Sequence, residues 1–200
     1  IGDHRWWLGG LEPGRSMNGR ELVVGVSGGV AAYKSAALVS QLIQSGARVT
    51  VVMPPSAGRF VGAATFQALT GRAVVTDLFD GRYPLGPHIE LSEGSELLCV
   101  APVTANFLAK AAAGLADALL STLYLTFTGS ILLAPAMNCE MWDNPAVQRN
   151  VATLRGDGIH LIGPEKGWLS CRHQGTGRMS EPETIARAIT EILNRSCLES

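Results

Sequence analysis

The run Leu22-Val23-Val24-Gly25-Val26-Ser27-Gly28-Gly29-Val30-Ala31-Ala32-Tyr33-Lys34 decides the fold. Its first part, 22–26, is a short apolar stretch of the kind that lies buried on both faces of a parallel sheet, and helical periodicity follows over 31–45. A turn at Gly46-Ala47 and a second apolar run over 48–53 complete a βαβ unit. The alternation continues outward from there. The spacing predicts a helix over 56–69, a segment punctuated by Gly and Pro over 71–87, and a strand over 97–101. Helices over 105–113 and 117–126, a strand over 131–134, a helix over 144–157 and a strand over 159–162 come next. A loop over 163–180, long enough to serve as a lid or binding segment, precedes a last helix over 182–194. Strands separated by helices imply an α/β fold: three layers, doubly wound, around a mostly parallel sheet. Residues 1–20 hold Trp6, Trp7 and Pro13 without periodicity and are taken as a poorly ordered leader, with Met17 as the candidate start; 21–195 form one domain.

With 200 residues, 46% of them hydrophobic and 16% charged, the chain is large enough for a single core. A formal net charge of -1 supplies no basic field for nucleic acid. The longest apolar candidate for a membrane span, 115–133, is interrupted by Asp117, Ser121, Thr122, Thr126, Thr128, Gly129 and Ser130, and the first residues lack a signal-peptide pattern. A cytoplasmic protein that acts on a small molecule, without membrane or nucleic-acid partners, is the expectation. Cys99, Cys139, Cys171 and Cys197 form no CxxC pair, which fits a reducing compartment. Cys139, Cys171 and His173 do not have a usual zinc-ligand spacing, so no metal site is expected. Cys99 falls within a predicted strand and is expected to be buried and inert, whereas Cys171 lies among Gly167, Gly175 and Gly177 with Lys166, Arg172 and His173 nearby, a setting that favours a thiolate.

Three stretches carry the candidate chemistry. In Gly25 to Lys34 the glycines let backbone approach a ligand, and the helix that follows offers N–H groups to an anion. The pattern is neither G-x-G-x-x-G nor a Walker A loop. The second strand ends in Met53-Pro54-Pro55, without the acidic residue that would hold a ribose, so a mononucleotide with one phosphate fits better than a dinucleotide. A tight strand-to-helix turn without a ligand is the alternative. Ala101-Pro102-Val103-Thr104-Ala105-Asn106 repeats the arrangement after another strand, with Thr104 either a ligand contact or an ordinary helix N-cap. The octet Pro135-Ala136-Met137-Asn138-Cys139-Glu140-Met141-Trp142 places a carboxamide, two thioethers and an indole just past a buried strand, where ligands of open α/β sheets sit. Asn138 is either a carboxylate contact or a cap, and Met141 and Trp142 are individually packing residues first.

Taken together these motifs resemble those of the flavin-dependent cysteine decarboxylases. The octet matches P-x-M-N-x-x-M-W, 101–106 matches A-P-x-[ST]-A-N, and His88-Ile89-Glu90-Leu91 matches the segment with that family's active-site histidine. Ser170-Cys171 with Gly175-Thr176-Gly177-Arg178-Met179-Ser180-Glu181-Pro182 is similar to the substrate clamp of the phosphopantothenoylcysteine decarboxylases. The resemblance spans 20–193. It implies that Gly28, Gly29, Ser56, Phe60, Thr104, Asn106 and Ala136 bind flavin mononucleotide (FMN), that His88 and Cys171 are catalytic, and that Asn138 and Met141 bind substrate. It further implies a homotrimer or larger homo-oligomer, with each flavin between subunits and His88 reaching a neighbour's site.

The implied reaction is decarboxylation of 4′-phosphopantothenoylcysteine to 4′-phosphopantetheine in coenzyme A synthesis. The substrate is oxidised to a thioaldehyde, CO2 leaves to give an enethiolate, and the flavin returns the electron pair. In that scheme His88 moves a proton during oxidation and Asn138 grips the carboxylate through neutral donors. Cys171 supplies the proton of the reductive finish. Similar proteins imply other outcomes: peptidyl-cysteine oxidative decarboxylases stop at the enethiol, flavin prenyltransferases, which share only the broad fold, modify the flavin, and fungal relatives that act as regulators do no chemistry. Two departures stand out. Arg172-His173 follows the clamp cysteine where Gly-Asp is common, and the sequence ends at Ser200 without a fused synthetase domain, so the preceding ligation is expected from a separate phosphopantothenoylcysteine synthetase.

Overall fold

The computed structural model describes residues 17–196, so the expected leader lies outside the described residues as far as residue 16, as does Cys197. Met17 is buried and leads directly into β1 (Glu21–Gly25). In chain order there follow α1 (Ala32–Gln44), β2 (Arg48–Val52), a short 3-10 turn (Ala57–Arg59), α2 (Ala63–Thr70), α3 (Pro87–Glu93), β3 (Leu97–Val103), α4 (Ala105–Ala113) and α5 (Leu119–Thr126). β4 (Ser130–Pro135), α6 (Cys139–Asp143), α7 (Pro145–Gly156), β5 (His160–Leu161), β6 (Glu165–Trp168), β7 (Gln174–Arg178) and α8 (Pro182–Ser196) complete the chain.

The first five strands form one parallel sheet in the order β2-β1-β3-β4-β5. Both of its faces are covered, which is why its strands are apolar runs without polar alternation. Successive side chains go to opposite faces. Leu22 and Val24 of β1, Leu97 and Cys99 of β3, and Leu132 of β4 join a core with α1, α2 and α8. Val23, Leu98, Val100, Ile131 and Leu133 join a second core with α3, α4, α5 and α7. The three-layer, doubly wound α/β class expected from sequence is the observed one. Reversal of strand order between β1 and β3 opens a crevice at their carboxyl ends, the general position of ligands in such sheets.

Three local expectations are corrected. The helix predicted over 56–69 is interrupted: the 3-10 turn ends near Phe60 and α2 starts only after Gly62, since Gly58 and Gly62 each weaken a continuous helix. The punctuated segment over 71–87 ends in α3, with Pro87 at its first position, where a missing N–H costs nothing. The loop predicted over 163–180 contains an antiparallel hairpin, β6 with β7, that pairs Lys166 with Thr176 and Trp168 with Gln174. Its glycines depress strand propensity, which hid it.

Candidate active site

The ends of β1 and β3 are tied together by side chains that the sequence did not single out. Ser27 Oγ donates to the Pro102 carbonyl at 2.7 Å and accepts from the Thr104 N–H at 3.2 Å, while Ser35 Oγ donates to the Ala101 carbonyl at 2.6 Å. These buried hydroxyls fix two glycine- and proline-bearing turns against each other, so the crevice between them is rigid. On one side α1 begins after Ala31, which offers no side-chain cap; the Ala32 and Lys34 N–H groups donate to the Gly29 and Ala31 carbonyls at 3.0 Å each, and no side chain caps the others of the first turn. On the other, Thr104 caps α4 by accepting from the Phe107 N–H at 3.3 Å. A Cβ added to Gly28 would stand 2.7 Å from Ser56 Oγ, so glycine is needed for the first turn to lie against the second-strand loop. Gly28, Gly29, Ser56 and Thr104 thus converge on the mouth of the crevice; Phe60, half exposed, ends the adjacent 3-10 turn, and Asn106 is exposed in the first turn of α4.

A cavity of about 460 Å³ opens beside this cradle, within the size range of small-molecule sites. Gly29 and Thr104 reach it from the switch point, Ala136, Asn138 and Met141 from the octet, and Cys171 from the hairpin. Six of the eleven residues named in the sequence as site residues therefore meet in one space. Tyr33 and Arg178, from the first glycine-rich stretch and the clamp motif, also line it, as does Trp168, which no motif included. Trp142 packs on the second core, as expected of a packing residue.

Asn138 does both things the sequence left open. Its Oδ1 accepts from the Glu140 N–H at 2.8 Å and caps α6, which turns the carboxamide so that its NH2 is the group left for the cavity. The cap makes the oxygen and nitrogen of the amide distinguishable, because only the oxygen can accept.

The hairpin forms the outer wall. It docks on the octet backbone to backbone: the Met137 N–H donates to the Gly177 carbonyl at 2.9 Å. A Cβ on Gly177 would collide with the Met137 carbonyl oxygen, and one on Gly175 would stand 2.7 Å from the Cβ of Cys139. Gly177→Ala should therefore push the hairpin off the octet and lower kcat/KM at least a hundredfold while the thermal midpoint of the parallel-sheet core moves little, because displacement of a catalytic group by about 1 Å has that effect. Steady-state kinetics and a melting curve on the same sample check it. At its base the hairpin is anchored by buried Lys34, whose Nζ donates to the Met179 carbonyl at 3.0 Å and to Glu181 Oε1 at 3.1 Å. That hydrogen bond from Lys34 holds the Glu181 carboxyl below its usual range.

Cys171 is exposed on the cavity wall, Cys99 is not: complete burial pushes the Cys99 thiol up to about 12 and leaves it inert. Arg172 adopts φ 65°, a left-handed conformation in which glycine is the natural occupant, so the common Gly at this position has a conformational reason. His88 lies elsewhere. It sits at the start of α3, in a separate recess with Phe79, Tyr83 and Leu85, and its Nδ1 is buried with no hydrogen-bond partner among the described residues. Within one chain the structure does not bring His88 to Asn138 and Cys171.

A family model described as Flavoprotein matches residues 11–194. The coenzyme A biosynthesis bifunctional protein CoaBC of Bacillus subtilis (strain 168) is 46% identical over 172 residues, which cover 86% of this chain and 42% of that protein. The chain thus spans about two-fifths of the length of this relative. Among solved structures, the FMN-dependent cysteine decarboxylase SpaF superposes with a TM-score of 0.80 at 32% identity, covering 91% of this chain and 99% of that one. A cysteine-to-serine mutant of PPC decarboxylase complexed with pantothenoylaminoethenethiol gives a TM-score of 0.78 at 31% identity, covering 92% and 100%.

Proposed function

This chain belongs to the flavoprotein family, and from that premise we propose that it converts 4′-phosphopantothenoylcysteine to 4′-phosphopantetheine, the decarboxylation step of coenzyme A synthesis. One observation carries the reading: Asn138 and Cys171, from elements 33 residues apart in sequence (171 − 138), line the same cavity beside a helix N-terminus that has no side-chain cap. The cradle of Gly28, Gly29, Ser56 and Thr104 fits FMN, with the first turn of α1 facing its phosphate and Ala136, Phe60 and Asn106 around it. Bound there, FMN supplies a reversible two-electron sink for a substrate that otherwise has nowhere to place the electrons of a departing carboxyl group.

The chain's own residues do the rest. The Asn138 NH2 donates to the substrate carboxylate, and a neutral donor is suited to a group whose charge is lost in the transition state, since a cation would stabilise the ground state more. Once CO2 has left, the Cys171 thiol gives its proton to the carbon that carried the carboxyl group, and solvent reprotonates this exposed sulfur. Met141 and the buried Leu169 narrow the cavity with apolar surface. His88 of a second copy supplies the base for the oxidative half, in a homotrimer or larger assembly. The orphan Nδ1 and the exposed side chains of Phe79 and Leu85 beside it support an interface at that recess. The enethiol held by the PPC decarboxylase mutant supports the order of steps. Among the described residues no helix is long and apolar enough to cross a membrane.

The test is to mix FMN-loaded protein with 4′-phosphopantothenoylcysteine and weigh the product. Loss of CO2 alone, with the saturated thiol as product, is expected. An enethiol as the end product would reassign the chain to oxidative cysteine decarboxylation, and unchanged substrate would reject both.

A further inference from the structure

Between Glu165 and Glu181 the chain carries Lys166, Arg172, His173 and Arg178 and not one acidic residue, although its net charge is -1. This basic stretch is the hairpin that walls the cavity. Arg178 is neutralised by Glu181. Among the described residues, Lys166 and Arg172 have no acidic partner. Lys166 lies two residues before Trp168 on β6, so the two share a face, and both are exposed. Trp168 lines the cavity at 64% exposure, which puts that face at its mouth. Arg172 stands at the hairpin tip directly after Cys171, which also lines the cavity.

We propose that Lys166 and Arg172 form the subsite for the phosphate of the substrate, with Trp168 covering the apolar segment between phosphate and cysteine. The proposal rests on the function assigned above and adds what selects the phosphorylated compound. From the cysteine Cα to the phosphorus the substrate extends about 13 Å at the rise per bond of an extended chain. A molecule held by its carboxylate at Asn138 can carry its phosphate out of the cavity towards the hairpin face of Lys166 and Trp168 and the tip at Arg172; of these only Trp168 lines the cavity itself. An exposed phosphomonoester takes charge-assisted hydrogen bonds from both types of cation, and Arg can do so through two N–H groups at once. Arg172 in place of the common Gly gives this tip a charge at the expense of a left-handed backbone.

The experiment compares KM for 4′-phosphopantothenoylcysteine and for unphosphorylated N-pantothenoylcysteine in the FMN-loaded wild type, Lys166→Gln and Arg172→Gly. Glycine suits φ 65° better than arginine does, so the second variant keeps the hairpin tip folded. Each variant is expected to raise KM for the phosphorylated compound about tenfold, as loss of one charge-assisted hydrogen bond implies, and to move KM for the unphosphorylated one less than twofold. The wild-type preference should also shrink as ionic strength rises. Equal shifts for both compounds, or none, would overturn the subsite while leaving the decarboxylase assignment intact. No turnover of either compound by the wild type would reject that assignment and the subsite with it.

Discussion

Cys171→Ser is expected to release CO2 at close to the wild-type rate in a first turnover, and in further turnovers only where dioxygen reoxidises the reduced flavin, while the yield of saturated thiol falls a hundredfold or more, so that the enethiol accumulates. The size of the effect follows from acidity. A serine hydroxyl at the same point of the cavity wall is a far weaker acid than a thiol, and loss of a positioned proton donor costs a factor of about 10² to 10⁴. The change is close to isosteric and the residue is exposed, so the fold should not respond. Product mass and CO2 release, followed together, separate the two half-reactions. Saturated thiol at the wild-type yield would remove Cys171 from the mechanism.

Asn138→Asp should cut kcat/KM about a thousandfold without weakening the protein. Aspartate caps a helix as well as asparagine does and adds a favourable negative charge at the N-terminus of α6, so the melting temperature should hold or rise. The same change replaces the NH2 that faces the cavity with a carboxylate. Two like charges about 4 Å apart at an effective dielectric near 20 repel by about 4 kcal/mol, which lowers kcat/KM about a thousandfold. Asn138→Ala has the opposite balance: it loses the cap, at a cost of about 1 kcal/mol in stability, but introduces no repulsion. If Asn138 only caps α6, the aspartate variant will bind and turn over substrate normally.

The layers and the parallel sheet were legible in the sequence because buried strands there are unbroken apolar runs, as in Leu97-Leu98-Cys99-Val100-Ala101, and helices between them keep a 3.6-residue period. What stayed hidden was structure held by glycine. Gly175 and Gly177 belong to β7 not through strand propensity but because a side chain at either position would collide with the octet. Read one residue at a time they signal a loop. The site was legible in its polar members, Asn138, Thr104 and Cys171, since each follows a strand or lies in a glycine-rich stretch beside a cationic cluster. Lys34 escaped notice because its role depends on the carbonyl of Met179, 145 residues away, and no local pattern encodes that contact. Trp168 was missed for the related reason that its exposure at the cavity mouth depends on the pairing of a hairpin not foreseen. His88 marks a different limit. Among the described residues its Nδ1 is buried and unpaired in a recess of its own, so the role proposed for it requires a second copy that one chain's sequence does not display.

The most direct test of the central claim is a titration of the purified chain with FMN, followed by gel filtration and an absorbance spectrum of the protein peak. Retention of one flavin per chain, with loss of that binding in Gly28→Val, where a side chain would strike Ser56, is the predicted result. A colourless protein peak at saturating FMN would contradict the account, because neither Asn138 nor Cys171 can oxidise the cysteine to the thioaldehyde that takes up the electrons of the departing CO2.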